Sequence, residues 1–311
     1  MPILELAAAG AAVTLAPDIG GAITAFTVDG VPFLRPTPPA ALAEADVRRT
    51  ACYPLVPYSN RIANGVLHFA EREFRLARNV ATYPHAIHGV GWQRAWSVVG
   101  ASNAHALVAL RHDATGVDAD AWPWPFLATQ AFHLVPSAHA RAAVLAVTLS
   151  LANVGDEPFP FGLGWHPHFP RDEATELGFA AREVFLNDQT QLPVARVAVP
   201  AQWRFDPARA LGAPALDNVF AGWGGEATII DRARATSLAA DRACAFVVVY
   251  APAHRPFFAV EPVTHQTDAF NRAAAGETRT GTRVLPPGAA FSCTMRIAAT
   301  VNPARASLSD R

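Results

Sequence analysis

Apolar residues along this chain come in short runs, separated by clusters of Gly, Pro, Asn and Asp, and in the longer runs they alternate with polar ones. Alternation is clearest in Thr129-Gln130-Ala131-Phe132-His133-Leu134-Val135 and in Ala146-Val147-Thr148-Leu149-Ser150-Leu151. A two-residue period sends successive side chains to opposite faces, so these segments read as half-buried β-strands. Strands are expected at Ala11–Leu15, Ala22–Val28, Val66–Phe69, Leu107–Leu110, Leu127–Val135, Ala143–Leu151, Phe246–Tyr250 and Phe291–Ala299. Val66–Leu76 reads as a hairpin of an antiparallel meander. The 26 scattered prolines disfavour long helices. One short helix is expected at Ala40–Val47, after the Pro36–Pro39 turn. Strand–helix alternation is lacking, which argues against a parallel α/β sheet. The pattern therefore predicts an all-β fold, a large antiparallel β-sandwich. No repeat, linker or composition shift interrupts residues 1–311, so one domain is expected, ending in a polar, frayed tail at Pro303–Arg311.

Composition narrows the function classes. Of 311 residues, 51% are hydrophobic and 16% charged, enough apolar surface for a sizeable core. The net charge of −1 offers no electrostatic footprint for nucleic acid or an anionic membrane. No run approaches the ~20 apolar residues of a membrane span. Met1-Pro2-Ile3-Leu4-Glu5 lacks the basic start of a secretion signal. Cys52, Cys244 and Cys293 are far apart and have no metal or redox spacing. A cytoplasmic protein with reduced, buried thiols is expected, as a monomer or homodimer. The chain has no lysine. That excludes a lysine Schiff base, lysine-anchored pyridoxal phosphate and a P-loop.

Five segments set polar side chains among Gly, Pro and aromatics. In Tyr53-Pro54-Leu55-Val56-Pro57-Tyr58-Ser59-Asn60-Arg61, two prolines stiffen the approach to Arg61. Arg61 can bind vicinal hydroxyls or orient a carboxylate, or it can be a structural ion-pair residue. In His88-Gly89-Val90-Gly91-Trp92 the glycine lets backbone approach a ligand, and Trp92 could face a sugar ring. The alternative for His88 is a structural loop histidine. His166 and His168 would share one face of a strand, suiting a metal or an acid–base pair. No second histidine pair has ligand spacing on a neighbouring strand, and no metal is expected. Asp217, between Leu216 and Asn218, reads by default as a turn or capping aspartate. Glu261 ends the apolar run Phe257-Phe258-Ala259-Val260 and is followed by Pro262. A carboxylate there is costly to desolvate unless partnered or at work.

In order and spacing, Asn60-Arg61, His88-Gly89, His166-Pro167-His168-Phe169, the Asp217 segment, Glu261-Pro262 and Asp268-Ala269-Phe270-Asn271 resemble the aldose 1-epimerase (galactose mutarotase) family. The resemblance runs from residue 60 to residue 271. It implies a β-sandwich with the sugar on its concave face, a small-molecule aldose as substrate, and neither metal nor organic cofactor. It implies His166 as general acid and Glu261 as general base, with Arg61, His88 and Asp217 binding the sugar. His168 stands where the family commonly has Tyr, and His88-Gly89-Val90-Gly91-Trp92 replaces a His-Gly-Gly opening. These departures bear on which sugar is handled rather than on the acid and base.

The implied chemistry opens a hemiacetal and recloses it on the other carbonyl face. Glu261 would take the C1 hydroxyl proton, and His166 would protonate the ring oxygen across a pyranose-sized gap. The carboxylate would raise the His166 pKa. Two other readings compete: a non-catalytic sugar-binding or sensor protein on the same fold, and a glycoside hydrolase pairing Asp217 with Glu261. The motifs hold no arginine cluster, which disfavours a phosphorylated sugar.

Overall fold

The computed structural model describes residues 3–137 and 141–302, so the expected tail at Pro303–Arg311 lies outside the described residues. Every strand expected from the pattern forms, at Ala11–Ala16, Ala22–Val28, Val66–Phe69, His105–His112, Phe126–Pro136, Ala142–Asn153, Phe246–Ala251 and Ala290–Val301. Alternation sets the burial directly: along the whole of strand Ala142–Asn153, half-buried and fully buried residues alternate. The Val66–Phe69 strand pairs with Arg72–Arg75 as a hairpin.

Two large sheets carry the architecture, one of nine strands and one of eight, with a four-stranded N-terminal sheet built from Leu4–Ala8, Ala11–Ala16, Ala22–Val28 and Val31–Pro32. The strand pairs within them are antiparallel. Val147, Leu149 and Leu151 from the nine-stranded sheet share one apolar cluster with Val247, Val249, Phe258 and Val260 from the eight-stranded sheet. That shared layer is the core of an antiparallel sandwich. The fold is the all-β one expected.

The expected helix is shorter than Ala40–Val47. It spans Pro39–Ala43, Ala45 takes φ +51°, and Val47–Arg49 forms a separate 3₁₀ turn. The Asp46 side chain accepts from the Arg48 N–H and so starts that new turn. Two further short helices, Val117–Ala121 and Ala269–Ala274, were not foreseen. Among the described residues, no helix is long and apolar enough to cross a membrane. All three cysteines are free and buried.

Strand Phe257–Val263 organises the eight-stranded sheet around the candidate site. On one side, strand Phe246–Ala251 pairs Val248 with Glu261 and Tyr250 with Ala259. On the other side its partner strand is broken. Gly164 pairs with Val263 and His168 with Ala259, and Pro167 interrupts the ladder between them. Counting two residues inward from either end sets His166 directly opposite Glu261. The same break leaves Pro262 without a ladder bond to supply on that side. Glu261 therefore does not end the strand, as the sequence suggested; the strand runs on through Pro262 to Val263.

The loop leading to the site is held from behind by His265. The Ser59 N–H donates to His265 Nε2 at 3.1 Å, and His265 Nδ1 meets the Gln266 carbonyl at 2.7 Å. Gly162 packs against this ring so closely that a Cβ there would lie 1.7 Å from His265 Cδ2. Gly162→Ala should force the ring from its place and cost ~1–3 kcal/mol of stability, as overpacking in a dense interior does. Urea unfolding is the check, and an unshifted midpoint would show that His265 can move without cost.

Candidate functional site

Arg61, His88, His166, Asp217 and Glu261 line one cavity of about 170 Å³. The strand register explains how. On the sheet face away from the core, one row across the strands runs His166, Glu261, Val248, Val219; the next runs His168, Ala259, Tyr250, Asp217. Residues between these rows, such as Val247, Val249 and Val260, point to the core. Asp217 sits within strand Leu216–Ala221, not at a turn or cap as its flanks suggested.

The Asn60–Arg61 and His88–Gly89 segments cover the site as two mutually bonded loops. Asn60 and His88 both take left-handed backbone, at φ +57° and +62°. Each satisfies the other: the His88 N–H donates to the Asn60 carbonyl at 2.9 Å, and the Asn60 N–H donates to His88 Nδ1 at 3.0 Å. Because a backbone N–H can only donate, Nδ1 holds a lone pair, and the neutral ring carries its proton on Nε2. Burial holds the His88 pKa well below the usual histidine value, with the nearby His166 and Arg61 adding to the effect. His88 is thus a neutral hydrogen-bond donor towards the cavity. Gly89 follows at φ +68°, where a Cβ would stand 2.4 Å from the Val56 carbonyl oxygen.

Arg61 is fixed at both ends of its guanidinium. Nη1 donates to Asn60 Oδ1 at 3.0 Å and Nη2 to Asp217 Oδ2 at 3.3 Å. Asp268-Ala269-Phe270-Asn271 supports this loop from outside the cavity. Asp268 Oδ1 accepts the Ala63 N–H, and Asn271 both accepts from the His68 N–H and donates to the Val66 carbonyl. That motif is a clasp for the loop.

At the floor of the cavity, His166 Nε2 lies 3.1 Å from Glu261 Oε1. Both groups are buried, Glu261 to 3% exposure. This corrects two expectations. The pair is in direct contact, with no pyranose-sized gap between them. And the His166 pKa is lowered, not raised: burial pushes it down to about 3, helped by the charge on Arg35, while burial and then Asp217 push Glu261 well above the usual carboxylate range. Both directions favour a neutral imidazole beside a protonated carboxyl. His166 Nδ1 is buried without a hydrogen-bond partner.

Aromatic rings surround the pair. His168 stacks on His166 with centroids 4.4 Å apart, on the same face as the strand reading required. Tyr53 lies 4.8 Å from His166 and stacks on Trp92 at 5.6 Å. Trp92 itself is only 2% exposed, so it backs Tyr53 rather than presenting a broad face to a ligand. Sequence reasoning missed Tyr53, Tyr250, Arg35 and Arg48, all of which line the cavity. Tyr53 heads the proline-stiffened segment and could have been noticed there. Arg35, between Leu34 and Pro36, is a lone cation after two buried residues, a weak signal.

The model of the aldose 1-epimerase family matches residues 2–298. YphB of Escherichia coli K12, described as uncharacterised, is 32% identical over 84% of this chain and 87% of its own length. A crystal structure of a candidate aldose 1-epimerase from Escherichia coli K12 has TM-score 0.85 at 27% identity, covering 97% of this chain and 99% of that one. A galactose 1-epimerase from Lactobacillus acidophilus NCFM shares the fold, with TM-score 0.75 at 16% identity, covering 96% and 95% of the two chains.

The buried imidazoles make stability pH-dependent. His88, His166, His168 and His265 are all held below the ordinary histidine value, His265 at about 4, in each case chiefly by burial. The unfolded chain takes up these protons from about pH 6.5 downward, whereas the folded one resists them. Their contribution is therefore complete above that pH and is lost as pH falls towards 4 and below. A thermal midpoint that drops steeply across this window is expected in scanning calorimetry; a flat profile to about pH 4 would contradict the neutral assignments.

Proposed function

The chain belongs to the aldose 1-epimerase family, and from that premise we propose that it is an isomerase interconverting the α and β anomers of a free aldose, with His166 and Glu261 as its proton-transfer pair. The observation that carries the reading is the 3.1 Å contact between His166 Nε2 and Glu261 Oε1 on the cavity floor. Ring opening removes a proton from the C1 hydroxyl and delivers one to the ring oxygen. A pair that holds one proton on two adjacent sites has the right inventory: one site gives as the other takes.

Glu261 is the base and His166 the acid in the forward direction. A sugar entering the cavity brings its C1 hydroxyl and ring oxygen up to the pair. Burial alone neutralises each group, but at this separation a carboxylate and an imidazolium also attract each other strongly. Hydroxyls donating to Glu261 favour its anionic form, and the proton passes to His166 Nε2. Glu261 then takes the C1 proton, His166 protonates the ring oxygen, and the ring opens. Rotation about C1–C2 presents the other carbonyl face. Closure reverses both transfers and restores the starting pair, so no net proton is consumed.

The remaining groups orient the sugar. Neutral His88 offers its Nε2 proton to a ring or hydroxyl oxygen. Arg61 and Asp217, paired and so uncharged overall, present donors and an acceptor to hydroxyls. Their contribution is proximity more than proton transfer. No observation favours a binding-only protein, which would have no use for a buried acid–base pair.

Glu261→Gln or His166→Asn should each lower turnover by about 10²–10⁴-fold, the usual worth of general acid–base catalysis, while far-UV circular dichroism stays unchanged. The assay is polarimetry or NMR anomer exchange on freshly dissolved α-D-glucose and α-D-galactose. A folded Glu261→Gln protein of normal activity would remove Glu261 from the mechanism. Arg61→Ala should raise KM as well as lower kcat, because it loses contacts made in both ground and transition states; unchanged kinetics would reduce Arg61 to a scaffold residue.

A further inference from the structure

Three arginines reach the cavity, and they differ in how their charge is answered. Arg61 is bonded to Asp217. Arg48 lies 3.4 Å from Asp46. Arg35 has no carboxylate within ion-pair distance among the described residues. Its protein contacts use a single nitrogen: Nη2 donates to the carbonyls of Arg48 at 2.9 Å and Thr50 at 2.6 Å. Nε is buried without a partner. The planar group lies over the Phe257 ring, 4.2 Å from its centroid.

Arg35 also stands beside the reacting pair. Its backbone N–H donates to the His168 carbonyl at 2.8 Å, and Phe257 meets the His168 ring edge-on at 5.6 Å. His168 in turn stacks on His166. A half-buried cation without a counter-ion is unfavourable, and burial draws the Arg35 pKa down to about 10, which still leaves it charged at neutral pH. Asp46 pulls on it only from a distance, being engaged with Arg48.

The charge balance points to the kind of ligand that suits the site. The Arg61–Asp217 and Arg48–Asp46 pairs each sum to zero, and so does the one-proton His166–Glu261 pair. Arg35 leaves one positive charge over. A singly charged anion completes the site, and a planar carboxylate matches the planar donors of a guanidinium. We propose that Arg35 is a specificity-determining residue that receives a carboxylate carried by the aldose, so that sugar acids of the uronate type are preferred over neutral hexoses. The sequence motifs concealed this, because Arg35 lies outside all of them. Identifying the ligand as an aldose rests on the isomerase reading; the preference for an anion does not.

The test compares D-galacturonate and D-glucuronate with their methyl esters, which keep the shape and remove the charge, by calorimetric titration of the wild-type protein. At least one acid should bind at least about tenfold more tightly than its ester, the usual worth of a hydrogen bond to a charged group. Arg35→Met should bring that ratio to within about twofold, and Arg35→Lys should keep part of it. Equal binding of acid and ester by the wild type overturns the proposal, as does a ratio that Arg35→Met leaves intact or failure of either acid to bind at millimolar concentration. Should Arg35→Met not fold, the wild-type ratio and Arg35→Lys decide. D-glucose 6-phosphate binding more tightly than either uronate would replace the carboxylate with a doubly charged group and refute the charge count. NMR anomer exchange on the same sugars separates the two readings: acid preference without acceleration sinks the isomerase, and acceleration without acid preference sinks the role of Arg35.

Discussion

A carboxylate in the interior of an apolar strand is a demand that the surrounding structure has to meet. Glu261 sits among Phe258, Ala259, Val260 and Val263, all buried. The chain meets the demand by interrupting the neighbouring strand. Pro167 breaks the ladder between Gly164 and His168, and the imidazole of His166 drops into register opposite Glu261. Burial favours the neutral form of both groups, and their direct contact gives each a partner in an environment that would not tolerate either as an isolated ion. The broken strand, the proline after Glu261 and the cavity above the pair all follow from that one contact.

The walls around the pair are stiffened in a consistent way. Asn60 and His88 each occupy a backbone region that L-residues seldom adopt, and each supplies the hydrogen bond the other lacks. Behind them, His265 and the Asp268–Asn271 segment tie the same loop to the sheet and to the Val66–Phe69 hairpin. Side chains that face the cavity are thereby placed by contacts outside it. This is the division of labour expected where geometry within a fraction of an ångström matters.

Much of the fold was legible because strand periodicity is a local property. Burial alternates along Phe126–Pro136 and Ala142–Asn153 just as the apolar residues alternate in the sequence. The five candidate residues came from family resemblance, and they line one cavity. What stayed hidden depends on register and burial, which are not local. Nothing around Glu261 or His166 reveals that they are cross-strand neighbours, so the sequence suggested a gap and a raised His166 pKa where there are direct contact and a lowered one. Asp217 was read from its flanking residues as a turn, although its position is fixed by pairing with Tyr250. Arg35 joins the cavity through a chain separation of more than a hundred residues from His168, beyond the reach of any motif.

The bond between the Asn60 amide and His88 Nδ1 also sets the polarity of one wall. A ring whose inner nitrogen is permanently occupied as an acceptor can show the cavity only a hydrogen, at any pH where it stays uncharged. That wall welcomes lone pairs and repels N–H groups. Imino-sugar mimics, which replace the ring oxygen by a protonated amine, would set hydrogen against hydrogen there, so the shape they borrow from a sugar would not carry its affinity with it.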